Sequence, residues 1–323
     1  MIKILKSNKF ACFILFVACF ILLTSPAKYS QVSLNAVQIW ATKLFPTLFP
    51  FFILSRLIVN LSDNKPTAMD KVFKKLYNLP SGSFQTFVLS FISGYPMGAK
   101  LIGCSLEQNK INVSQAKSML SICSISGPMF MFGTVGILIF NSAKIGLIII
   151  ISNLMASLIN GLVFANKEKF QQFSNKDFSN LEKPTISEIV LDSIKSILLV
   201  CGFMVSSFLF IEILYNFKIV DTISNAVCWV LNINNSQNVV NCIINSSLEI
   251  TRGMIDLGNL DLANKAKTII SSGMIGFGGL CVIMQSYGFV CKSKISLFTI
   301  IKQKFVQGVL SAIFAFVICL FIF

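Results

Sequence analysis

The chain has no histidine and only two arginines among its 323 residues. Without histidine, the commonest metal ligand and general base is gone, and neither a metal site nor an acid–base enzyme is expected. No nucleophile–base arrangement stands out either. Ten cysteines are present, yet none form a C-x-x-C pair, and most lie in apolar surroundings where free cysteine behaves as a small hydrophobe. No glycine-rich phosphate loop ending in Gly-Lys-Ser/Thr occurs, and no cofactor is expected. Charge is scarce as well. Only 12% of residues are charged and 54% are hydrophobic, with a mean hydropathy of +0.77. A soluble domain carries about 25% charged residues, so the chain reads as an integral membrane protein whose first partner is the lipid bilayer.

The net charge of +14 comes from scattered lysines, with no basic run interleaved with aromatics. That excludes nucleic acid as a partner and fits lysine-rich loops flanking membrane spans. A spanning helix needs about 20 apolar residues, and on that measure the chain offers roughly eight to ten membrane segments, some of them re-entrant. Residues 1–43 read as a first span followed by an interfacial amphipathic helix over Ser30–Lys43. Lys3, Lys6 and Lys9 before the apolar run Phe10–Leu23 also match a signal peptide, but an uncleaved span is expected. Residues 44–165 form a first half, 166–184 a polar linker and 185–323 a second half. The Ser62–Pro80 loop, with Lys65, Lys71, Lys74 and Lys75, is expected on the cytoplasmic side.

The halves resemble one another. Gln115-Ala116-Lys117-Ser118 matches Lys265-Ala266-Lys267-Thr268, and Phe51 to Arg56 matches Ser207 to Glu212, at nearly the same offset. A repeat pair is a frequent transporter plan, with the substrate site at the repeat interface. The expected fold is an all-α polytopic membrane protein of two related halves with broken or re-entrant helices.

Three breaks interrupt the most apolar stretches: Gly94-Tyr95-Pro96-Met97-Gly98-Ala99-Lys100, Ser126-Gly127-Pro128 and Gly276-Phe277-Gly278-Gly279. Such breaks free backbone groups that lipid cannot satisfy, so they survive only around protein or a water-filled cavity. Gly94, Tyr95, Pro96, Gly98, Ser126, Gly127, Pro128, Gly276, Gly278, Gly279 and Gln285 are therefore candidate substrate-binding residues. Lys100 would add a full positive charge beside a helix N-terminus, itself a natural anion site. Arg252 is a further candidate, because guanidinium grips carboxylates. Both Arg56 and Arg252 have a second reading, in which the side chain snorkels to the interface. Glu212 aligns with Arg56 and is read as pairing with it; Glu249 is read as neutralising Arg252 or Lys100, or as carrying a coupling proton.

The run Phe45-Pro46-Thr47-Leu48-Phe49-Pro50-Phe51-Phe52, the three breaks above and Leu280 occur in an order that resembles the YlbJ-type sporulation integral membrane proteins of the nucleoside-recognition Gate-domain group. The resemblance spans roughly Ala36 to the C-terminus. It implies two Gate-like halves and expression during endospore formation. It also implies a place in the outer forespore membrane and a role in moving dipicolinic acid, a small planar dianion, toward the spore. The wider group makes a nucleoside the alternative substrate; a non-transporting scaffold acting through other sporulation membrane proteins is a further reading. The chain departs from the family at Cys123-Ser124-Ile125, where asparagines are usual, and at Ile283, where a histidine is usual.

Overall fold

Proline, glycine and helix caps divide an apolar chain into helices of two lengths. The computed structural model describes residues 9–61, 67–165, 185–232 and 236–323, and no β-strand occurs among them. The proposed linker 166–184, Lys3, Lys6 and Lys65 lie outside the described residues. Helix α1 (Lys9–Thr24) is followed by α2 (Pro26–Ile39), a π turn (Trp40–Leu44) and α3 (Phe45–Leu61). The π turn sits just before Pro46, whose ring removes an i→i−4 bond. It lets α2 and α3 run on as one apolar helix, Pro26–Ile58. The stretch Ser30–Lys43, expected as an interfacial helix, lies within this continuous helix, which is long and apolar enough to cross a membrane.

After α4 (Ala68–Tyr77) come two short helices, α5 (Ser83–Ser93) and α6 (Met97–Glu107), folded as a hairpin around the first break. Asp70 closes a capping box with Thr67 and also accepts from the backbone N–H of Gly82 and Phe84. That carboxylate fixes α4 against the start of the hairpin. Helix α7 (Val113–Cys123), capped by Asn112 and Gln115, leads through Ser124–Pro128 into a π-helix (Met129–Ile139) and then α8 (Ala143–Val163).

The second half opens with the 31-residue α9 (Ile186–Asn216) and α10 (Ile219–Leu231). A second hairpin, α11 (Gln237–Leu248) and α12 (Ile250–Gly258), turns at Glu249. Helix α13 (Asn264–Phe277) breaks at Gly278 before α14 (Gly279–Val290), and α15 (Leu297–Ile322) ends the chain. The same order therefore runs twice: long helix, short hairpin, broken helix, long helix.

Among the described residues, five helical stretches are long and apolar enough to cross a bilayer: Pro26–Ile58, Ala143–Val163, Ile186–Asn216, Asn264–Ser293 and Leu297–Ile322. Their outer faces are apolar and exposed, as in Leu147, Ile151 and Met155 on α8 and Phe305, Val309, Ile313 and Phe316 on α15. Spacings of three and four put each set on one stripe, the stripe that faces lipid. Polar groups turn inward. Ser152 of α8 bonds Ser272 of α13 at 2.5 Å, Asn153 donates to Ser272 Oγ at 3.2 Å, and Ser311 of α15 donates to Asn153 Oδ1 at 3.2 Å. Hydrogen bonds between buried small and amide side chains are the usual glue of membrane bundles. The protein is an all-α, polytopic integral membrane protein.

Candidate functional site

In each half the hairpin corner crosses the broken helix at a glycine. Gly94 ends α5 with φ of +72°, a region open to glycine, and a side chain there would stand 2.5 Å from the Gly127 amide nitrogen. Gly98 approaches the Cys123 carbonyl as closely: a Cβ would lie 2.2 Å from its oxygen. In the second half Gly278 and Gly279 both have positive φ, and a Cβ on Gly279 would lie 2.7 Å from Ser246 O, on the α11–α12 hairpin. The glycines thus allow two backbone breaks in each half to touch.

Between these crossings lies a cavity of about 60 Å³, room for several waters where one needs about 10–15 Å³. The first half supplies Tyr95, Ser126, Gly127 and Phe130; the second supplies Glu249, Ile250, Thr251, Ile275, Cys281, Val282 and Gln285. Leu44 and Leu48 of the α2–α3 span and Val200 and Met204 of α9 close the sides. The wall is mostly apolar, with a few convergent polar groups, the usual make-up of a small-molecule site.

Helix ends set its electrostatics. Tyr95 precedes α6, Ser126 and Gly127 precede the π-helix, Glu249 precedes α12, and Cys281 and Val282 lie in the first turn of α14. Four N-terminal helix ends therefore meet at one cavity, and each carries a partial positive charge. Glu249, 3% exposed, offsets one of them by accepting from the Arg252 backbone N–H at 2.7 Å.

The expected charged residues stand elsewhere. Lys100 Nζ bonds Asp192 Oδ2 at 2.6 Å and Ser196 Oγ at 2.5 Å, on the first turns of α9. Arg56 joins the same carboxylate, with Nε at 3.0 Å. Arg252 Nη2 lies 3.4 Å from Glu212 Oε2, while Lys28 Nζ lies 3.0 Å from Glu212 Oε1. One expectation is corrected here. Arg56 pairs with Asp192 and Glu212 with Lys28 and Arg252, so the two do not pair with each other. Glu249 meets the Arg252 backbone, whereas the guanidinium turns to Glu212 and lies over the rings of Phe208 and Tyr215, 5.6 Å from each centroid.

Of the sequence candidates, Tyr95, Ser126, Gly127, Glu249 and Gln285 line the cavity. Gly94, Pro96, Pro128, Gly278 and Gly279 stand at the breaks behind its wall, while Gly98 and Gly276 lie within α6 and α13 beside them, against the Cys123 carbonyl and Ser311. Tyr95–Pro96 is a cis peptide bond. Thr251 of the wall escaped the sequence reading, and so did Lys304. Lys304 is 1% exposed and donates to Tyr95 Oη at 2.5 Å, to Ser124 O at 2.9 Å and to Gln307 Oε1 at 2.9 Å. A signal for it existed: a lysine within the apolar run of α15 demands an explanation.

The chain is similar over 94% of its length to the "Sporulation integral membrane protein YlbJ" of Bacillus subtilis (strain 168), at 22% identity and covering 80% of that protein. No family model and no solved structure matches it. The similarity covers both halves and all of the breaks, so the likeness drawn from the ordered motifs holds along nearly the whole chain.

Proposed function

We propose that this YlbJ-type integral membrane protein is a carrier or gated channel for a small anionic metabolite. Dipicolinic acid, crossing the outer forespore membrane during sporulation, is the substrate that fits best. The observation that carries the reading is the cavity assembled from the helix breaks of both halves. Val200 and Met204 on its wall lie eight to twelve residues from both Asp192 and Glu212 on α9, or roughly 12–18 Å along the helix from either. A ligand site near the middle of the membrane, formed by discontinuous helices, is the arrangement of many secondary transporters. Helix N-termini favour an anion there, and the apolar wall suits a flat ring.

The supporting experiment is uptake of labelled dipicolinate into proteoliposomes containing only this protein, with unlabelled dipicolinate and uridine as competitors. Uptake blocked by dipicolinate alone supports the reading. No uptake by folded protein contradicts transport and favours a scaffold that works through other membrane proteins.

A nucleoside carrier of the Gate-domain kind is the second reading. What favours it is the wall itself, which bears the carboxylate of Glu249 and the neutral Ser126, Thr251 and Gln285, while the nearby Lys100 and Arg252 are held in ion pairs away from it. Competition by uridine in the same experiment would select that reading.

A further inference from the structure

Lys304 stands in the third turn of α15, a 26-residue apolar helix, and is more deeply buried than Lys100. A cation inside a membrane is costly and normally has an anion beside it. Lys28, Arg56, Lys100 and Arg252 each have one, and among the described residues no ion pair includes Lys304. All three hydrogen-bond partners of its ammonium, the Tyr95 hydroxyl, the Ser124 carbonyl and the Gln307 side chain, are neutral. Beside it the Gln307 Nε2 group is buried with no partner at all. Around the ammonium there is an unspent donor and no negative charge.

Its position relative to the cavity supplies the rest. Tyr95 forms part of the cavity wall, and the Lys304 ammonium lies over its ring, 4.6 Å from the centroid. The Tyr95 hydroxyl oxygen accepts from Lys304, while its own proton goes to Ile275 O at a longer 3.2 Å. Ser124, the second partner, is two residues from Ser126 on the same wall. Tyr95 thus touches both the cavity and the Lys304 ammonium.

We propose that Lys304 is the charge that selects an anionic ligand at this cavity, acting through Tyr95, whose hydroxyl turns from Ile275 to donate to a ligand carboxylate. The ligand supplies the negative charge that the protein does not place beside Lys304; the Glu249 carboxylate on the cavity wall is held by the Arg252 backbone N–H at the start of α12. Lys304 is then a specificity-determining positioning residue, and the class it selects is a small planar carboxylate over an uncharged ring of similar shape. This inference rests on the cavity being the substrate site.

Calorimetry on the full chain in lipid nanodiscs tests it, with pyridine-2,6-dicarboxylate and its uncharged diamide as probes. Wild type is expected to prefer the dicarboxylate. Lys304→Met, which keeps the side chain's bulk, is expected to lose about 10- to 100-fold of dicarboxylate affinity, the range of a charged hydrogen bond, with diamide affinity unchanged. Tyr95→Phe should move the preference in the same direction, and it carries the comparison if the Lys304 variant does not fold. A preference that survives both substitutions, or an equal loss of both probes, overturns the inference while leaving the cavity as the site. Wild type that binds neither probe overturns the inference and the anion reading together.

Discussion

Asp192 and Glu212 stand twenty residues apart on α9, and each carboxylate collects one cation from the α2–α3 span and one from a half-helix. Asp192 takes Arg56 and Lys100; Glu212 takes Lys28 and Arg252. Because Lys28 meets the far end of α9 and Arg56 the near end, the two long helices run antiparallel. The carboxylates are about 30 Å apart along the helix, close to the thickness of a bilayer's hydrocarbon core. One triad therefore fixes the α5–α6 hairpin near one end of α9, and the other fixes the α11–α12 hairpin near the opposite end, with the cavity between.

The two triads should differ in strength. Lys100 is nearly buried, with 7% of its side chain exposed, against 43% for Lys28 and 20% for Arg252. Removing one partner strands the other charge, and the penalty grows with burial. Asp192→Asn is expected to cost about 2 kcal/mol, and Glu212→Gln about 1 kcal/mol. Thermal unfolding in detergent reads this order, and Asp192→Asn combined with Lys100→Met should recover part of the loss. Equal effects would show that Lys100 gains little from its partner.

Glycines at the crossings should tolerate no side chain, while others should. Gly94→Ala forces a methyl to 2.5 Å from a backbone nitrogen at positive φ, so the variant is expected to lose the folded state. A Cβ at Gly202 on α9 meets nothing within 4 Å, and Gly202→Ala should stabilise by about 0.4–1 kcal/mol. Monodispersity and melting temperature separate the two. A well-folded Gly94→Ala protein would refute the close crossing.

The buried polar seam between α8, α13 and α15 is expected to hold the bundle together. Asn153→Leu removes bonds to Ser272 and Ser311 and should destabilise by about 0.6–1.7 kcal/mol. Ligand binding at the cavity, which Asn153 does not line, should be unchanged in the folded fraction. A shift in binding as large as the shift in melting temperature would contradict that separation.

On the cavity wall, Thr251→Val keeps the shape and removes one hydroxyl. It is expected to weaken ligand binding by several-fold, the worth of about one neutral hydrogen bond, and, because the same hydroxyl bonds the buried Glu249 carboxylate, to lower stability by about 1.5–3 kcal/mol. Binding isotherms with dipicolinate and with uridine measure it. No effect on either ligand would take Thr251 out of the site.

Much of this was legible in the sequence. Gly94, Gly127 and Gly278 announce breaks because glycine and proline at membrane depth have few other uses, and Tyr95, Ser126 and Gln285 beside them do reach the cavity. Charge was legible as present and misleading as to place. A lysine following a break suggests a ligand, yet whether Lys100 faces the cavity depends on the rotation of α6 and on Asp192, over ninety residues away. Ser30–Lys43 has the alternation of a surface helix, and no local signal tells that it continues through a π turn. Lys304 was overlooked because the flanking run is apolar enough to read as one more span. Its meaning comes from Tyr95, on a segment brought near only by the fold.

Cys281 lines the cavity and is buried and free, which makes it a built-in reporter of the central claim that substrate occupies this space. In a variant whose other nine cysteines are replaced, a small methanethiosulfonate reagent should modify Cys281 slowly, and dipicolinate should slow it further in step with its binding curve. Modification unchanged by dipicolinate, in protein that transports it, would place the substrate path elsewhere.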